Sequence, residues 1–245
     1  MQISGVEIGP EHPCRFVAEI SNNHNGDINL ALMLIELCAK AKADFIKLQC
    51  YLPDELVALR GDGPAPDPWG SDGWSMKDLY TKAQTPHEWF PALTKRCEML
   101  GIPWFASVFG KQSLDLLESL DCPAYKIASL DREDEPLRRM VLATMKPLIW
   151  STPTSEPFAE LWMETLTLYC PPGYPQKVFD YTSFKWADGF SYHGTSIEPL
   201  KEAVISGANM LEAHVKLPGV ESELEADISI TTDQVKELTR WIRAS

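Results

Sequence analysis

Short apolar runs alternate along this chain with longer amphipathic segments. The short runs are rich in Ile, Val, Phe and Tyr, which is typical of strands buried in a parallel sheet. The predicted strands are Phe16–Ser21, Phe45–Tyr51, Trp104–Phe109, Ala124–Ser129, Leu148–Thr152, Leu166–Cys170, Gly189–His193 and Met210–Val215. Because eight strands alternate with helices, the pattern predicts an α/β fold closed into a TIM (β/α)8 barrel, with an open doubly wound sheet as the alternative.

The segments between the strands carry helical signals. Apolar residues repeat at intervals of three and four over 30–41, which predicts a helix with one apolar face. Thr85-Pro86 has the form of an N-cap followed by proline, which predicts a helix start. The stretch Pro153–Thr165 is too short for a helix and two loops, so we predict a stunted fifth helix. The Pro-, Gly- and Asp-rich stretch Leu59–Gly73 predicts a long βα loop that could serve as a lid.

Composition narrows the classes of protein. A length of 245 residues fits one barrel domain spanning 1–245. A formal net charge of −13 argues against nucleic acid or an anionic membrane as a partner. The six cysteines form no CxxC pair, so we expect reduced core residues rather than zinc ligands or disulfides. With no signal peptide and no apolar run of membrane-spanning length, we expect a cytoplasmic protein.

Polar residues gather where the predicted strands end, which is where barrels of this type keep their catalytic groups. They are Glu19, Asn22, Lys47, Gln49, Ser107, Lys126, Ser129, Ser151, His193 and His214. A single lysine or histidine at such a position is most often a structural, paired residue. A buried lysine or glutamate is costly unless it is paired, however, so the joint pattern requires partners. Two lysines among several hydroxyls predict a local anion site inside an acidic protein.

The two histidines point to a metal. His193 and His214 end consecutive predicted strands, so their side chains can converge on one ion. Two imidazoles with oxygen ligands suit manganese, iron, cobalt or zinc better than calcium. From the residues alone, the sequence predicts a phosphate-binding site beside a divalent metal and leaves the reaction open.

An ordered set of motifs resembles the sialic acid synthase family, whose members make N-acetylneuraminic, pseudaminic and legionaminic acids. The motifs are Glu19–Gly26, Lys47–Gln49, Leu79–Pro86 with Glu88-Trp89, Pro123–Ser129, Ser151-Thr152 and Tyr174-Pro175. The stretch Leu79–Pro86 resembles the pseudaminic and legionaminic acid synthase branches most closely. The resemblance covers nearly the whole chain and implies the TIM-barrel catalytic domain, without the small antifreeze-like domain that the family usually appends.

The resemblance implies a transferase that condenses phosphoenolpyruvate with an N-acetylated amino sugar and releases phosphate by C–O cleavage. It implies that five residues hold phosphoenolpyruvate, namely Lys47, Ser107, Lys126, Ser129 and Ser151. His193 and His214 would ligate the divalent metal, with Mn²⁺ expected and Mg²⁺ or Co²⁺ as alternatives. Glu19 would handle protons or water at the reacting carbons. Asn22 would add a substrate contact, while Gln49, Asp131 and Tyr174 would face the sugar.

Several positions differ from the family pattern. Ser191–Gly194 reads SYHG where the family has SDHT, Glu212–Val215 reads EAHV where it has EKHF, and Asp131 stands where it usually has glutamate. Together with the absent domain, which reaches the sugar's acetamido group in the partner subunit, these differences predict an altered acceptor and weak use of N-acetylmannosamine. Alternatively, a homodimer or a separate subunit would supply that contact. Two other readings stay open: a Schiff-base aldolase using Lys47 or Lys126, and a non-catalytic binding or scaffold barrel.

Overall fold

The computed structural model describes residues 1–155 and 164–244, and eight parallel strands form its centre. The barrel strands are β3 (Arg15–Glu19), β4 (Phe45–Cys50), β5 (Trp104–Val108), β6 (Tyr125–Ile127), β7 (Leu148–Thr152), β8 (Thr165–Tyr169), β9 (Gly189–Tyr192) and β10 (Met210–Lys216). They pair in chain order, and β10 pairs with both β3 and β9, which closes the sheet. The predicted TIM barrel is therefore confirmed, and each of the eight predicted strands overlaps an observed one.

Helices surround the barrel. They are α1 (Ile28–Lys40), α2 (Pro53–Arg60), α3 (Met76–Ala83), α4 (Phe90–Leu100), α5 (Lys111–Ser119), α6 (Glu135–Leu142), α7 (Glu198–Ile205) and α8 (Thr232–Ile242). The helix start predicted at Thr85-Pro86 is wrong, because a 3₁₀ turn at His87–Trp89 precedes α4. The stunted fifth helix was predicted for a stretch that lies mostly outside the described residues. No helix in the described part of the chain is long and apolar enough to cross a membrane.

The inward face of the strands changes character along the barrel. Side chains alternate between the two faces of a strand, so every second residue points into the barrel. At the amino ends these inward residues are apolar, as with Phe45 and Ile149, which share one buried cluster. Two positions further along they are polar: Lys47 follows Phe45, and Ser151 follows Ile149. This alternation places the polar groups of several strands together at the carboxyl end.

A hairpin that was not predicted closes the other end of the barrel. Strands β1 (Gln2–Ile3) and β2 (Val6–Glu7) pair antiparallel around a turn in which Ser4 and Gly5 both have positive φ angles. Two-residue turns with positive φ at both positions match the twist of a hairpin. Ile3 and Ile8 pack into the apolar cluster at the amino ends of the barrel strands. The open end is therefore the carboxyl end, where the polar side chains lie.

Candidate active site

A cavity of about 710 Å³ lies at the carboxyl end of the barrel. Ten of the twelve site residues expected from the sequence line it, namely Asn22, Lys47, Gln49, Ser107, Lys126, Ser129, Ser151, Tyr174, His193 and His214. Glu19 and Asp131 are buried close by but are not among the lining residues. In each case a cation stands between the carboxylate and the cavity: Lys47 in front of Glu19, and Arg60 in front of Asp131.

A buried ion-pair network crosses the floor of the cavity. Lys47 Nζ lies 2.8 Å from Glu19 Oε2 and 2.9 Å from Glu212 Oε2. Lys126 Nζ donates to Glu212 Oε1, which also accepts a hydrogen bond from Ser191 Oγ at 2.9 Å. Two lysines thus face two carboxylates, as the cost of burying a charge without a partner requires.

The two lysines differ in their proton affinity. Burial alone would lower the pKa of Lys47, but the Glu19 and Glu212 carboxylates outweigh it and raise that pKa. For Lys126, burial outweighs the attraction of Glu212, and together with the neighbouring Lys47 charge it lowers the pKa to about 8. Burial acts to raise the pKa of Glu212, and the two lysines reverse that effect and hold it low. Lys47 is therefore firmly charged, while Lys126 is the cation closest to losing its proton.

Hydroxyl and amide groups surround the lysines. The strand register sets Ser107 beside both Gln49 and Lys126, so these groups share one level of the barrel. Ser151 Oγ is buried and has no hydrogen-bond partner among the described residues. Buried polar atoms rarely stay unpaired, so such a hydroxyl is available to an oxygen atom of a ligand. These are the groups that the sequence was expected to gather into an anion site, and that role stays a prediction.

The two histidine rings lie side by side, with centroids 5.0 Å apart. His214 Nδ1 is 2.9 Å from Glu225 Oε2, and Glu225 also accepts a hydrogen bond from Ser21 Oγ at 2.9 Å. Burial would lower the pKa of His214, but Glu225 reverses the effect and raises it. Burial, followed by the charges of His214 and Lys126, lowers the pKa of His193, which stays neutral.

These rings fit part of a transition-metal site. A carboxylate behind a histidine, as Glu225 stands behind His214, is the usual arrangement around a metal-binding imidazole and leaves Nε2 for the cation. Over residues 1–155 and 164–244, no three His, Cys, Asp or Glu side chains form a group that could hold a metal by itself. The protein therefore offers two imidazoles at this point, and water or substrate oxygens would have to complete a shell.

Four residues at the site were not among the sequence candidates. Glu212 lies in a buried strand and carried the same signal as Glu19, because an acidic side chain there must be paired. Gln176 accepts the backbone N–H of His193 at 3.0 Å, and its side-chain amide lies 3.2 Å from His193 Nδ1. Glu225, Gln176 and Arg60 come from loops and the end of α2, where no periodic pattern marks them.

The fold and the site together define a (β/α)8 barrel that brings two buried lysines, several hydroxyls and a pair of imidazoles together at its carboxyl end. Comparison with known proteins gives the family: the model of the NeuB family matches residues 34–161. The pseudaminic acid synthase of Campylobacter jejuni is 32% identical over 249 residues, covering 93% of this chain and 72% of that protein. The chain belongs to the NeuB family.

Other similarities agree with this assignment. The pseudaminic acid synthase of Helicobacter pylori is 39% identical over 143 residues, which is 57% of this chain and 42% of that protein. The crystal structure of an N-acetylneuraminic acid (sialic acid) synthetase from Leptospira borgpetersenii superposes with a TM-score of 0.86 at 24% identity, covering 100% of this chain and 87% of that one. The resemblance drawn from the sequence motifs is thereby confirmed, while the roles of the individual site residues stay predictions.

Proposed function

We propose that the chain is a transferase that condenses phosphoenolpyruvate with a sugar or sugar-like aldehyde. In this reaction C3 of phosphoenolpyruvate bonds to the aldehyde carbon, water adds at C2, and the C2–O bond breaks to release inorganic phosphate. The observation that carries the proposal is the joint presence in one cavity of two buried lysines, two adjacent histidines and a buried serine hydroxyl that has no hydrogen-bond partner in the described part of the chain. Its relatives named pseudaminic acid synthase support the same class of reaction.

Phosphoenolpyruvate would bind on the floor of the cavity. Lys47 and Lys126 offer cations to its phosphate and carboxylate groups, and Ser107, Ser129 and Ser151 offer hydroxyls. Glu19 and Glu212 balance the lysines, so the floor is near neutral and the ligand competes for ammonium groups that are already ordered. This pre-organisation lowers the entropic cost of binding.

The acceptor would bind above the floor, beside the histidines. His193 and His214 would hold a divalent cation, with Mn²⁺ our first expectation, and when bound it would act as a Lewis acid toward the aldehyde oxygen. Glu225 fixes the His214 ring for this role, and Gln176 fixes His193. Tyr174, whose ring centroid lies 4.4 Å from that of His193, would border the sugar.

Glu19 would act through Lys47 rather than by direct contact with the reacting carbons. Its Oε2 faces Lys47 Nζ at 2.8 Å, and its Oε1 accepts the backbone N–H of Ser21 at 2.7 Å. The carboxylate therefore holds the proton on Lys47. A charged Lys47 at the floor can stabilise the phosphate as it leaves.

The test is product formation by the chain with Mn²⁺, phosphoenolpyruvate and a panel of hexoses, N-acetylhexosamines and di-N-acetylated dideoxyhexoses. We expect inorganic phosphate and a product whose mass equals acceptor plus pyruvate. Lys126→Met should lose turnover, whereas Lys201→Met, which removes a cation from α7 that pairs with Glu198 at 2.8 Å, should retain it. Phosphate release without a condensed product, or no release with any acceptor, would contradict the proposal.

One observation favours a Schiff-base aldolase as a second candidate. A pKa near 8 makes Lys126 a better nucleophile than an ordinary lysine. Its ion pair with Glu212 opposes this role, because the carboxylate favours the charged ammonium. Borohydride treatment in the presence of pyruvate decides between the two: an adduct on Lys126 by intact-protein mass spectrometry supports the aldolase, and unmodified protein supports the synthase.

A further inference from the structure

Arg60 is the one cation of α2 that reaches the cavity. It is the last residue of the helix, and its side chain lines the wall above the lysines. Its Nε donates to Asp131 Oδ1 at 2.7 Å and its Nη2 donates to Asp131 Oδ2 at 2.6 Å. Asp131 is only 3% exposed and lies behind the guanidinium, so the group that faces the cavity here is a cation rather than a carboxylate.

The guanidinium is held in place from several sides. The two parallel hydrogen bonds to Asp131 fix its plane, and its Cζ lies 5.4 Å from the centroid of the Phe109 ring. Helix α2 is itself anchored, because Glu55 Oε1 accepts the backbone N–H groups of Gln112 and Ser113 at the start of α5. A side chain fixed in this way loses little conformational freedom when it binds a ligand.

The edge of the guanidinium that Asp131 does not use can donate to a ligand. A guanidinium has five N–H groups; Asp131 takes one from Nε and one from Nη2, and the Tyr80 side chain interacts with a further part of the group, which still leaves N–H donors for a ligand. Asp131 also balances the positive charge, and other carboxylates line the same cavity, among them Asp67, Asp227 and Glu223, the last of which pairs with Lys82. An additional anion would meet this acidic surrounding, so the site favours a neutral oxygen such as a hydroxyl or an amide carbonyl.

The position of Arg60 determines which part of the acceptor it would meet. In the proposed reaction the aldehyde lies near His193, which follows β9, and His214, in the carboxyl-terminal half of β10. Arg60 instead comes from the segment between β4 and β5 that covers the mouth, together with Trp69 and Tyr80. It therefore faces the end of the acceptor remote from the reacting carbon.

We propose that Arg60 is an acceptor-specificity residue, which donates from its fixed guanidinium to neutral oxygen atoms at the far end of the sugar. The kinetic test of this inference rests on the proposed condensation, whereas the binding test does not. It predicts an acceptor that is neutral at this end, with hydroxyl or acylamino groups, rather than a sugar phosphate.

The test compares Arg60→Met, Arg60→Lys and a matched control, Lys77→Met. Lys77 is an exposed cation of α3 that pairs with Asp54 at 2.6 Å and does not line the cavity. With saturating phosphoenolpyruvate and Mn²⁺, we expect Arg60→Met to lower kcat/KM for the acceptor about 10- to 100-fold, mainly through KM, because a charge-assisted hydrogen bond is lost. KM for phosphoenolpyruvate should change less than about twofold, and Lys77→Met should behave as the unmodified protein.

Arg60→Lys is the variant that guards against a folding artefact, because it keeps the positive charge next to Asp131. It lacks the planar guanidinium, so it should also bind the acceptor more weakly. Saturation-transfer NMR with N-acetylhexosamines and hexose 6-phosphates reads binding directly. If the saturation-transfer signals of the sugar are lost in Arg60→Met and kept in Lys77→Met, the role of Arg60 is supported. This holds even if no product forms, because the absence of product would contradict only the proposed condensation. Equal acceptor binding in Arg60→Met and Lys77→Met, a preference for hexose 6-phosphates, or no sugar binding by the unmodified protein would overturn the inference.

Discussion

Replacing Glu212 by glutamine tests the buried ion-pair network directly. The glutamine keeps the shape of the side chain but removes the carboxylate that balances Lys126 and shares Lys47 with Glu19. Removing one partner from a buried ion pair costs about 3–5 kcal/mol, because the remaining charge has no compensation. We expect a loss of unfolding free energy of this size near neutral pH.

The loss should depend on pH in a defined direction. In the unmodified protein burial lowers the pKa of Lys126 to about 8 from an ordinary value of 10.5, and without Glu212 it should fall further. Below pH 8 the folded variant then binds fewer protons than the folded parent, so the stability of the variant rises relative to the parent as pH increases. The gain is about 1.4 kcal/mol per pH unit, or about 2 kcal/mol between pH 6.5 and pH 8, after which Lys126 is neutral in both.

Urea denaturation of the parent and of Glu212→Gln between pH 6.5 and pH 9 measures the difference in their free energies of unfolding. The difference is read from the shift in the urea midpoint, with the same dependence of free energy on urea concentration for both proteins. Glu198→Gln serves as the control, because Glu198 is exposed and its pair with Lys201 should contribute less than about 1 kcal/mol at every pH. A Glu212→Gln loss below about 1 kcal/mol, or one that does not shrink as pH rises, would refute the network as the source of stability.

Three further predictions concern ligands. Phosphate should raise the Tm of the protein by mass action, and Lys126→Ala should remove that rise in a thermal-shift assay; a full rise in the variant would place the anion elsewhere. Because Lys126 loses its charge as pH rises through about 8, kcat/KM for phosphoenolpyruvate should fall on the alkaline side with an apparent pKa near 8, and Lys126→Arg should move that limb upward. Glu225→Gln should weaken Mn²⁺ binding about 10- to 100-fold, measured by electron paramagnetic resonance without substrates, whereas unchanged binding would remove Glu225 from the metal site.

Most of the barrel could be predicted from the hydrophobic pattern, because each buried parallel strand is a short apolar run and the helices between them are amphipathic. The hairpin at Gln2–Glu7 was not predicted, since two-residue strands are too short to show an alternation of apolar and polar residues. The start of α4 was misplaced for a different reason. Thr85 is not an N-cap; its hydroxyl lies 3.2 Å from His24 Nε2, a partner 61 residues away that no local pattern reveals.

The candidate site divides in the same way. Residues on the strands, such as Lys47 and His214, could be found because a polar side chain in an apolar run is conspicuous. Residues that act on them from loops, such as Glu225 and Gln176, are ordinary surface types in sequence and become significant only through their contacts. Glu212 could have been predicted in the same way as Glu19, since both are acidic residues in apolar strands.

The most direct measurement of the proposed reaction follows the oxygen that bridges carbon and phosphorus in phosphoenolpyruvate. The chain is incubated with Mn²⁺, the acceptor panel and phosphoenolpyruvate labelled with ¹⁸O at that position, and both products are analysed by mass spectrometry. We expect the label to leave with inorganic phosphate and the condensed acid to contain unlabelled oxygen from water at C2. Label retained in the condensed acid, or turnover through a lysine adduct, would contradict the proposed reaction.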